Sequence, residues 1–313
     1  MSAEIRRAAQ ILRAGGLVAF PTETVYGLGA DASSEKAVAR LYAVKGRPAD
    51  HPVIVHLYSL ERALAWARDV PSEARALAER FWPGPLTLIL KRSDKAKDFV
   101  TGGQASVGVR VPSHPVAREL LEAFGDGIAA PSANRFGRVS PTTAAHVRDD
   151  LGAQVDLVLE GGASEVGIES TIVDFSSGEP VVLRPGAIAE SEIESLLSRR
   201  LQRPRSGSPR HSGGLERHYA PRTPALLVQT FDLDRQISLR GAGVAVLAFS
   251  RPDERVGVWL RMPRDPAAYA HGLYGALREL DAAGCAQILV EAPPEGPEWA
   301  AVRDRLQKAC AGA

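Results

Sequence analysis

Hydroxyl groups and cations dominate the polar side chains that stand at predicted strand ends or in Gly/Pro loops of the N-terminal part of the chain. These residues are Thr24, Lys45, Arg47, His51, His56, Ser106, Arg110, Ser132, Asn134, Ser140, Ser170 and Arg184. Arginine binds phosphate or carboxylate through two N–H groups at once, and hydroxyls donate further hydrogen bonds to the anion. The set therefore predicts an anionic ligand. A nucleoside triphosphate with Mg²⁺ is the natural candidate, because nucleotidyl transfer depends on positioned cations.

The spacing of these residues supports shared ligand contacts. Lys45 and Arg47 lie two residues apart, so in an extended segment both side chains point the same way, whereas on a helix they diverge. Pro48 favours the extended form for the residue before it. Ser106 and Arg110 alternate with valines, which places both on one face of a predicted strand. No catalytic triad, metal-ligating cluster or pair of catalytic carboxylates accompanies them in the sequence.

Each residue also has a purely structural interpretation. His56, in an apolar strand, can be a core histidine whose hydrogen bonds are satisfied internally. Lys45 and Arg47, at a helix end, can complement the helix dipole while solvated. Serines can cap turns, and a lone arginine can pair on the surface. What favours a ligand site is that so many of these groups occur together at the ends of successive strands.

The elements that must position these groups alternate between strand and helix. Strands are predicted at 17–20, 53–57, 86–90, 106–111, 128–130, 156–159, 171–175 and 181–183, and helices at 3–14, 34–44, 60–68, 72–81, 114–124 and 142–151. Some connections, such as that between residues 174 and 181, are too short for a crossover helix, so the sheet must contain antiparallel neighbours. The fold class is therefore α/β, a twisted mixed sheet with packed helices.

Residues 21–32 form the most unusual polar segment, because hydroxyls, a carboxylate and glycines directly follow a buried strand. We expect this whole segment to be a loop. Pro21 would fix its backbone, while Gly27 and Gly29 would let it turn or approach a ligand closely. Ligands of α/β proteins bind at such strand ends.

A change of composition predicts two domains. Residues 199–224 are rich in Arg, Pro, Gly and Ser and almost free of aliphatic residues, which is typical of a linker. The strands predicted at 244–249 and 288–290 and the helices at 266–283 and 299–309 indicate a small α/β domain beyond it. The predicted organisation is a first domain at 1–200, a linker or lid at 201–224 and a second domain at 225–313.

Charge and cysteine content exclude several classes of protein. The chain has 38 basic and 37 acidic residues, so its overall charge does not favour binding to nucleic acid or a membrane. Cys285 and Cys310 form no CxxC or Cys/His cluster, which argues against zinc and disulfide scaffolds. No apolar run approaches the ~20 residues that span a bilayer. We expect a cytoplasmic protein without membrane association.

Motifs along the chain resemble, in order, those of the Sua5/YrdC family. They are PTETVYGLGADA at 21–32, KGRP at 45–48, IVH at 54–56, FWPGPLTLIL at 81–90, VGVRVPSHP at 107–115, APSAN at 130–134, STIVDF at 170–175 and LRPGAI at 183–188. HYAP at 218–221 and the α/β segment after it resemble the longer, two-domain form. The resemblance implies a YrdC-like mixed sheet followed by a Rossmann-like second domain.

The resemblance also implies an activity. Members of the family join L-threonine, bicarbonate and ATP into L-threonylcarbamoyladenylate and pyrophosphate, for the threonylcarbamoyl modification of adenosine 37 in tRNA. Mg²⁺ would accompany ATP. The adenylate would pass to downstream threonylcarbamoyl-transferase machinery, and tRNA stays open as a partner.

Roles for individual residues follow from the same resemblance. Threonine would be held by Thr24, His56, Arg110, the Ala130 backbone and Ser170. ATP would be held by Arg47, His51, Ser106, Ser132, Asn134, Ser140, Arg184 and Tyr219. Lys45 and Arg47 would act in catalysis by stabilising developing charge. His51 stands where many relatives have asparagine. Ser106 stands where threonine is frequent, so the hydroxyl is kept. Glu23 and Tyr26 are expected to shape the loop.

Two other functions compete with this interpretation. A concave basic face around Lys45, Arg47 and Arg184 could hold the backbone of a tRNA or double-stranded RNA. The net charge of +1 weighs against it. The second competitor is a carbamoyl-transferring relative that uses carbamoyl phosphate, but such relatives usually carry this domain within larger chains.

Overall fold

The computed structural model describes residues 2–312 and divides into two compact units. The first unit contains the chain up to Phe136, Pro141–Glu165 and Glu169–Gly214. The second contains Gly137–Ser140, Val166–Ile168 and the chain from Leu215 onward. The boundary at Gly214 falls inside the predicted linker, whose earlier residues group with the first unit. The predicted domain limits at 200 and 225 stay predictions.

One mixed sheet organises the first unit. Its helices are α1 (Ala3–Arg13), α2 (Glu35–Lys45), α3 (Leu60–Leu64), α4 (Ser72–Phe81), α5 (Asp98–Thr101), α6 (Pro115–Phe124), α7 (Ala144–Leu151) and α8 (Glu190–Leu197). Its strands are β1 (Val18–Phe20), β2 (Gly27–Asp31), β3 (Ile54–His56), β4 (Leu86–Lys91), β5 (Ser106–Arg110), β6 (Ile128–Ala129), β7 (Leu157–Val158), β8 (Thr171–Asp174) and β9 (Val181–Arg184). The strand order is β7-β1-β2-β6-β3-β5-β4-β8-β9, with parallel and antiparallel pairs as predicted.

The two faces of this sheet differ in chemistry because side chains alternate along each strand. One face belongs to the main apolar core and includes Val55, Leu88, Val109 and Val173. The strand registers place a different set on the opposite face: Ile54, His56, Thr87, Ser106, Gly108, Arg110, Ile172 and Arg184. We call this opposite face, from β3 to β9, the site face.

Two helices of the first unit, α1 and α6, cover one end of that side of the sheet. Leu12 of α1 and Leu121 of α6 pack in one apolar cluster with Phe20 and Ile128, over the strands β1 and β6. The polar residues from β3 to β9 lie beyond this cluster. The fold therefore separates a helix-covered end from an end that carries hydroxyls and cations.

Local signals explain where the basic segment at 45–48 begins. The Ser34 side chain accepts a hydrogen bond from the Ala37 N–H and starts α2. Gly46 ends the helix in the left-handed conformation with φ 64°, which glycine adopts without a steric penalty. Lys45 thus occupies the last helical position, while Arg47 lies in the segment after the helix and its N–H donates back to the Tyr42 carbonyl at 3.0 Å.

The predicted loop at 21–32 is wrong beyond residue 26. Gly27–Asp31 is the strand β2, antiparallel to β1. A Cβ atom at Gly29 would lie 2.9 Å from Phe20 Cε1 and 2.8 Å from Ile128 Cγ2. The glycine therefore permits close packing of side chains across the strand rather than a turn, a use of strand glycine that the sequence alone does not distinguish from a loop.

Smaller corrections concern helix ends and short elements. The helix predicted at 60–68 ends at Leu64, and the helix Glu190–Leu197 was not predicted. Otherwise the predicted strands and helices of the first domain occur within a few residues of their expected limits. No helix among residues 2–312 is both long and apolar enough to cross a membrane.

The second unit is a small α/β domain, as predicted. Its strands are β10 (Ala225–Val228), β11 (Val244–Ala248), β12 (Val258–Arg261) and β13 (Gln287–Glu291), and its helices are α9 (Leu233–Arg240), α10 (Pro266–Ala282) and α11 (Ala300–Ala309). The strands pair in parallel in the order β10-β13-β11-β12. The two edge strands, β10 and β12, and the helix α9 were not predicted.

Candidate active site

A buried ion pair joins the loop after β1 to the end of β5. Arg110 Nη2 donates to Glu23 Oε1 over 2.5 Å, and the two side chains are only 5% and 4% exposed. Arg110 Nη1 donates to Thr24 Oγ1 at 2.9 Å, and the Ser113 N–H donates to Glu23 Oε2 at 3.1 Å. The sequence interpretation gave Glu23 only a loop-shaping role. Its one available signal was that a carboxylate next to a buried strand needs a cation.

Thr24 is held from two sides. Besides Arg110, its hydroxyl lies 2.9 Å from Thr22 Oγ1, which in turn donates to the Val25 carbonyl over 2.6 Å. Threonine hydroxyls in such local turns replace backbone partners. The result is a hydroxyl of fixed position beside a buried guanidinium.

His56 lies next to Arg110, because β3 and β5 pair in parallel with these two residues in register. Burial, and then the charge of Arg110, lower the pKa of His56 to about 3. Its Nδ1 lies 3.3 Å from the Ile54 carbonyl, which also accepts from the Ala130 N–H at 3.0 Å. A carbonyl can only accept, so the proton is assigned to Nδ1 and Nε2 is left as an acceptor.

Ser170 and Arg184 form a second polar group on the site face. Arg184 Nη2 donates to Ser170 Oγ at 3.1 Å, and its Nε donates to the Ser170 carbonyl at 3.0 Å. The hydroxyl of Thr87 lies 2.7 Å from Ser170 Oγ. Thr87 was not among the predicted site residues, since in sequence it is one polar residue within an apolar strand.

Two arginines meet at Ser212, in the predicted linker. Arg184 Nη1 donates to the Ser212 carbonyl at 3.0 Å, and Arg47 Nη2 donates to Ser212 Oγ at 3.3 Å. Arg47 also donates to the carbonyls of His51 and Pro52, at 3.2 and 2.7 Å. The linker therefore contributes acceptors to two of the predicted ATP-binding residues.

Residues 209–212, here called the strap, are fastened to the first unit by Arg210. Its N–H donates to Gln104 Oε1 at 2.7 Å, and Gln104 Nε2 donates back to the Arg210 carbonyl at 3.0 Å. Its guanidinium donates to the Gly102 carbonyl at 2.8 Å. The strap and the site face enclose a cavity whose walls include Ile54, Thr87, Ser106, Gly108, Ile172 and Ser212. The predicted ligand residue Ser106 thus faces a cavity.

Lys45 supports the loop that carries Ser132 and Asn134. Its side chain is buried, and its ammonium donates to the carbonyls of both residues, with 2.6 Å to that of Asn134. Burial and the nearby charge of Arg47 hold the pKa of Lys45 well below its usual value. The hydrogen bonds of Lys45 therefore link the basic segment at 45–48 to the loop at 132–134.

His51 and Arg47 share a neighbour. The His51 ring meets the Phe136 ring edge to face, with 5.4 Å between centroids, and the Arg47 guanidinium lies 5.4 Å from the centroid of the same ring. Burial is the main cause that lowers the pKa of His51, and the nearby charge of Arg47 lowers it further. A neutral imidazole at this position keeps an acceptor nitrogen, as an asparagine would keep its carbonyl.

Ser140 and Tyr219 belong to the second unit, whereas the other predicted residues belong to the first. Tyr219 is buried, has a left-handed backbone with φ 59°, and stacks on Tyr274 with 5.8 Å between ring centroids. The Arg305 guanidinium lies 5.2 Å from its ring centroid. Among residues 2–312 no group of three or more His, Cys, Asp and Glu side chains could hold a metal ion.

Comparison with known sequences places this chain in a family. The model of the Sua5/YciO/YrdC family, described as "Telomere recombination", matches residues 10–186. The chain belongs to the Sua5/YrdC family. A second model, described as "Threonylcarbamoyl-AMP synthase, C-terminal domain", matches residues 188–311. The predicted family is confirmed, including its two-domain form.

Relatives of known name and structure extend over nearly the whole chain. Threonylcarbamoyl-AMP synthase of Pyrococcus abyssi is 40% identical over 321 residues, covering 98% of this chain and 94% of the relative. That of Bacillus subtilis is 37% identical, covering 99% and 93%. The crystal structure of P. abyssi Sua5 complexed with L-threonine has a TM-score of 0.91 and 39% identity, covering 98% of this chain and 94% of that one. The predicted fold and enzyme class are confirmed.

The Glu23–Arg110 pair predicts a large stability effect. Glu23→Ala leaves a buried guanidinium without its carboxylate, which costs about 3–5 kcal/mol of unfolding free energy. The matched control is Glu160→Ala, which breaks an exposed pair with Arg148 and costs at most about 1 kcal/mol. Urea denaturation at neutral pH measures both. Equal losses in the two variants would contradict the structural importance of the buried pair.

The depressed pKa of His56 predicts a pH dependence of stability. The folded protein keeps His56 neutral down to about pH 3, whereas the unfolded chain protonates it near 6.5. The unfolded state thus binds more protons between these values, so acid lowers stability. By pH 5 this linkage amounts to about 2 kcal/mol. Urea denaturation at pH 7 and pH 5 should show a smaller acid loss for His56→Gln than for the wild type; parallel losses would contradict this account.

Proposed function

We propose that this protein joins L-threonine, bicarbonate and ATP into L-threonylcarbamoyladenylate with release of pyrophosphate. The observation that carries the proposal is the site face, on which one polar group is built around Arg110 and another around Arg184 and Arg47. The similarity to named synthases over nearly the whole chain supports it. The product would serve threonylcarbamoyl modification of adenosine 37 in tRNA, through downstream transferase machinery in the cytoplasm.

The group around Arg110 suits an amino acid with a hydroxyl. The guanidinium would share its N–H groups between Glu23 and the substrate carboxylate. The His56 Nε2 would accept a hydrogen bond from the substrate hydroxyl, since the ring is neutral at physiological pH. A site built to bond a hydroxyl discriminates strongly against valine, which lacks it. Serine is harder to reject, because it differs from threonine only by a methyl group.

The group around Arg184 and Arg47 suits the phosphates of ATP. Both arginines donate to oxygens of Ser212, and charged phosphate oxygens are stronger acceptors than a neutral carbonyl or hydroxyl. Lys45 would add positive charge near the loop at 132–134. Mg²⁺ would arrive with ATP as part of the substrate and neutralise charge on the leaving pyrophosphate. His51, Ser106, Ser132, Asn134, Ser140 and Tyr219 are proposed as further ATP contacts.

The reaction requires positioning more than acid–base catalysis. The neutral amine of threonine attacks CO₂ derived from bicarbonate, forming an N–C bond and releasing a proton. An oxygen of the resulting carbamate then attacks the α-phosphorus in line, and the bond to the pyrophosphate oxygen breaks. Lys45, Arg47 and Arg184 would stabilise the charge that develops, and the strap would help to exclude water from the hydrolysable adenylate.

Mass spectrometry tests the proposal. The purified protein is incubated with ATP, Mg²⁺, labelled bicarbonate and threonine, serine or valine in turn. We expect a labelled adenylate with threonine, much less with serine and none with valine. Arg110→Ala should abolish the product while calorimetry still detects ATP binding. An adenylate formed equally with valine, or none with threonine, would contradict the proposed function.

A further inference from the structure

Thr87 and Ser170 form a buried hydroxyl pair that reaches the cavity under the strap. Both residues are fully buried, and their oxygens lie 2.7 Å apart. Ser170 Oγ also accepts from Arg184 Nη2 at 3.1 Å. Thr87 lines the cavity and lies on the same strand face as the site residues.

The Thr87–Ser170 pair has one O–H donor more than the hydrogen bonds within the pair can use. Each hydroxyl carries one O–H, and arginine can only donate. Among the residues that the structure describes, the hydrogen-bond partner of the Thr87 hydroxyl is Ser170, and the side-chain partners of Ser170 Oγ are Thr87 and Arg184. Whichever hydroxyl donates to the other, one O–H is left for an outside acceptor. A buried donor without an acceptor is costly, so a ligand that supplies one is favoured.

The 2.7 Å contact allows either hydroxyl to donate, and the two directions have different consequences. If Thr87 donates, the two lone pairs of Ser170 Oγ are filled by Thr87 and Arg184, and the remaining O–H of Ser170 has one fixed direction. If Thr87 is removed, Ser170 keeps its proton but its hydroxyl can rotate. With Thr87 as the donor, its part is therefore orientation, exerted through Ser170.

We propose that Thr87 donates to Ser170 and is a positioning residue for the amino-acid substrate, directing the Ser170 hydroxyl toward an acceptor oxygen of that substrate. The inference rests on the proposed function and adds a residue outside the predicted site set. Its consequence is specific: loss of the Thr87 hydroxyl weakens threonine recognition, leaves ATP recognition unchanged, and has no effect once the Ser170 hydroxyl is absent.

Steady-state kinetics of adenylate formation tests this with four variants. Thr87→Val is nearly isosteric and suits a buried strand, and Thr87→Ser keeps the hydroxyl. We expect Thr87→Val to raise the KM for threonine about 3- to 10-fold, in line with the loss of one neutral hydrogen bond, and Thr87→Ser to stay near the wild type. The KM for ATP should stay unchanged in both. Ser170→Ala should raise the KM for threonine, and Thr87→Val should add nothing to it in the double variant.

Several outcomes would overturn the inference. A merely structural Thr87 would raise both KM values, or would add its effect to that of Ser170→Ala. An increase in the KM for ATP alone would assign the surplus donor to the nucleotide. Thermal melts confirm folding of each variant. If wild-type protein gives neither threonine binding by calorimetry nor an adenylate, the proposed function fails together with the inference; if it gives both and Thr87→Val matches the wild type, only the inference fails.

Discussion

Burying cations is the constraint on which the site depends, because a buried charge is tolerated only with acceptors around it. Arg110 is matched by the Glu23 carboxylate, while Lys45, Arg47 and Arg184 donate to backbone carbonyls and hydroxyls. These requirements draw together segments far apart in the chain. The loop after β1, the segment after α2, the loop at 132–134 and the strap are each held by at least one cation.

The different acceptors suggest different tasks for the cations. A carboxylate partner leaves Arg110 fixed in orientation, which suits selection of a small substrate by geometry. Neutral oxygens on Arg47 and Arg184 can be exchanged for phosphate oxygens at less electrostatic cost. Burial is the main cause of the low pKa of His56, and the register of β3 with β5 places this uncharged acceptor beside Arg110.

The sequence predicted what depends on local periodicity and on motif order. Alternation placed Ser106 and Arg110 on one face of β5, and the motifs identified the family before any contact was known. It could not show contacts between segments distant in the chain, such as Glu23 with Arg110 or Thr87 with Ser170. It also misassigned Gly27–Asp31, because a strand glycine that admits a neighbouring side chain has the same local pattern as a turn glycine.

The central claim is that the site face holds threonine and ATP at the same time, with the threonine carboxylate at Arg110 and the phosphates at Arg47 and Arg184. Calorimetric titration of threonine into the protein, without and with a saturating non-hydrolysable ATP analogue, tests it most directly. The account predicts one-to-one threonine binding in both conditions, lost in Arg110→Ala while binding of the analogue persists. Competition between the two ligands, or threonine binding that survives Arg110→Ala unchanged, would contradict it.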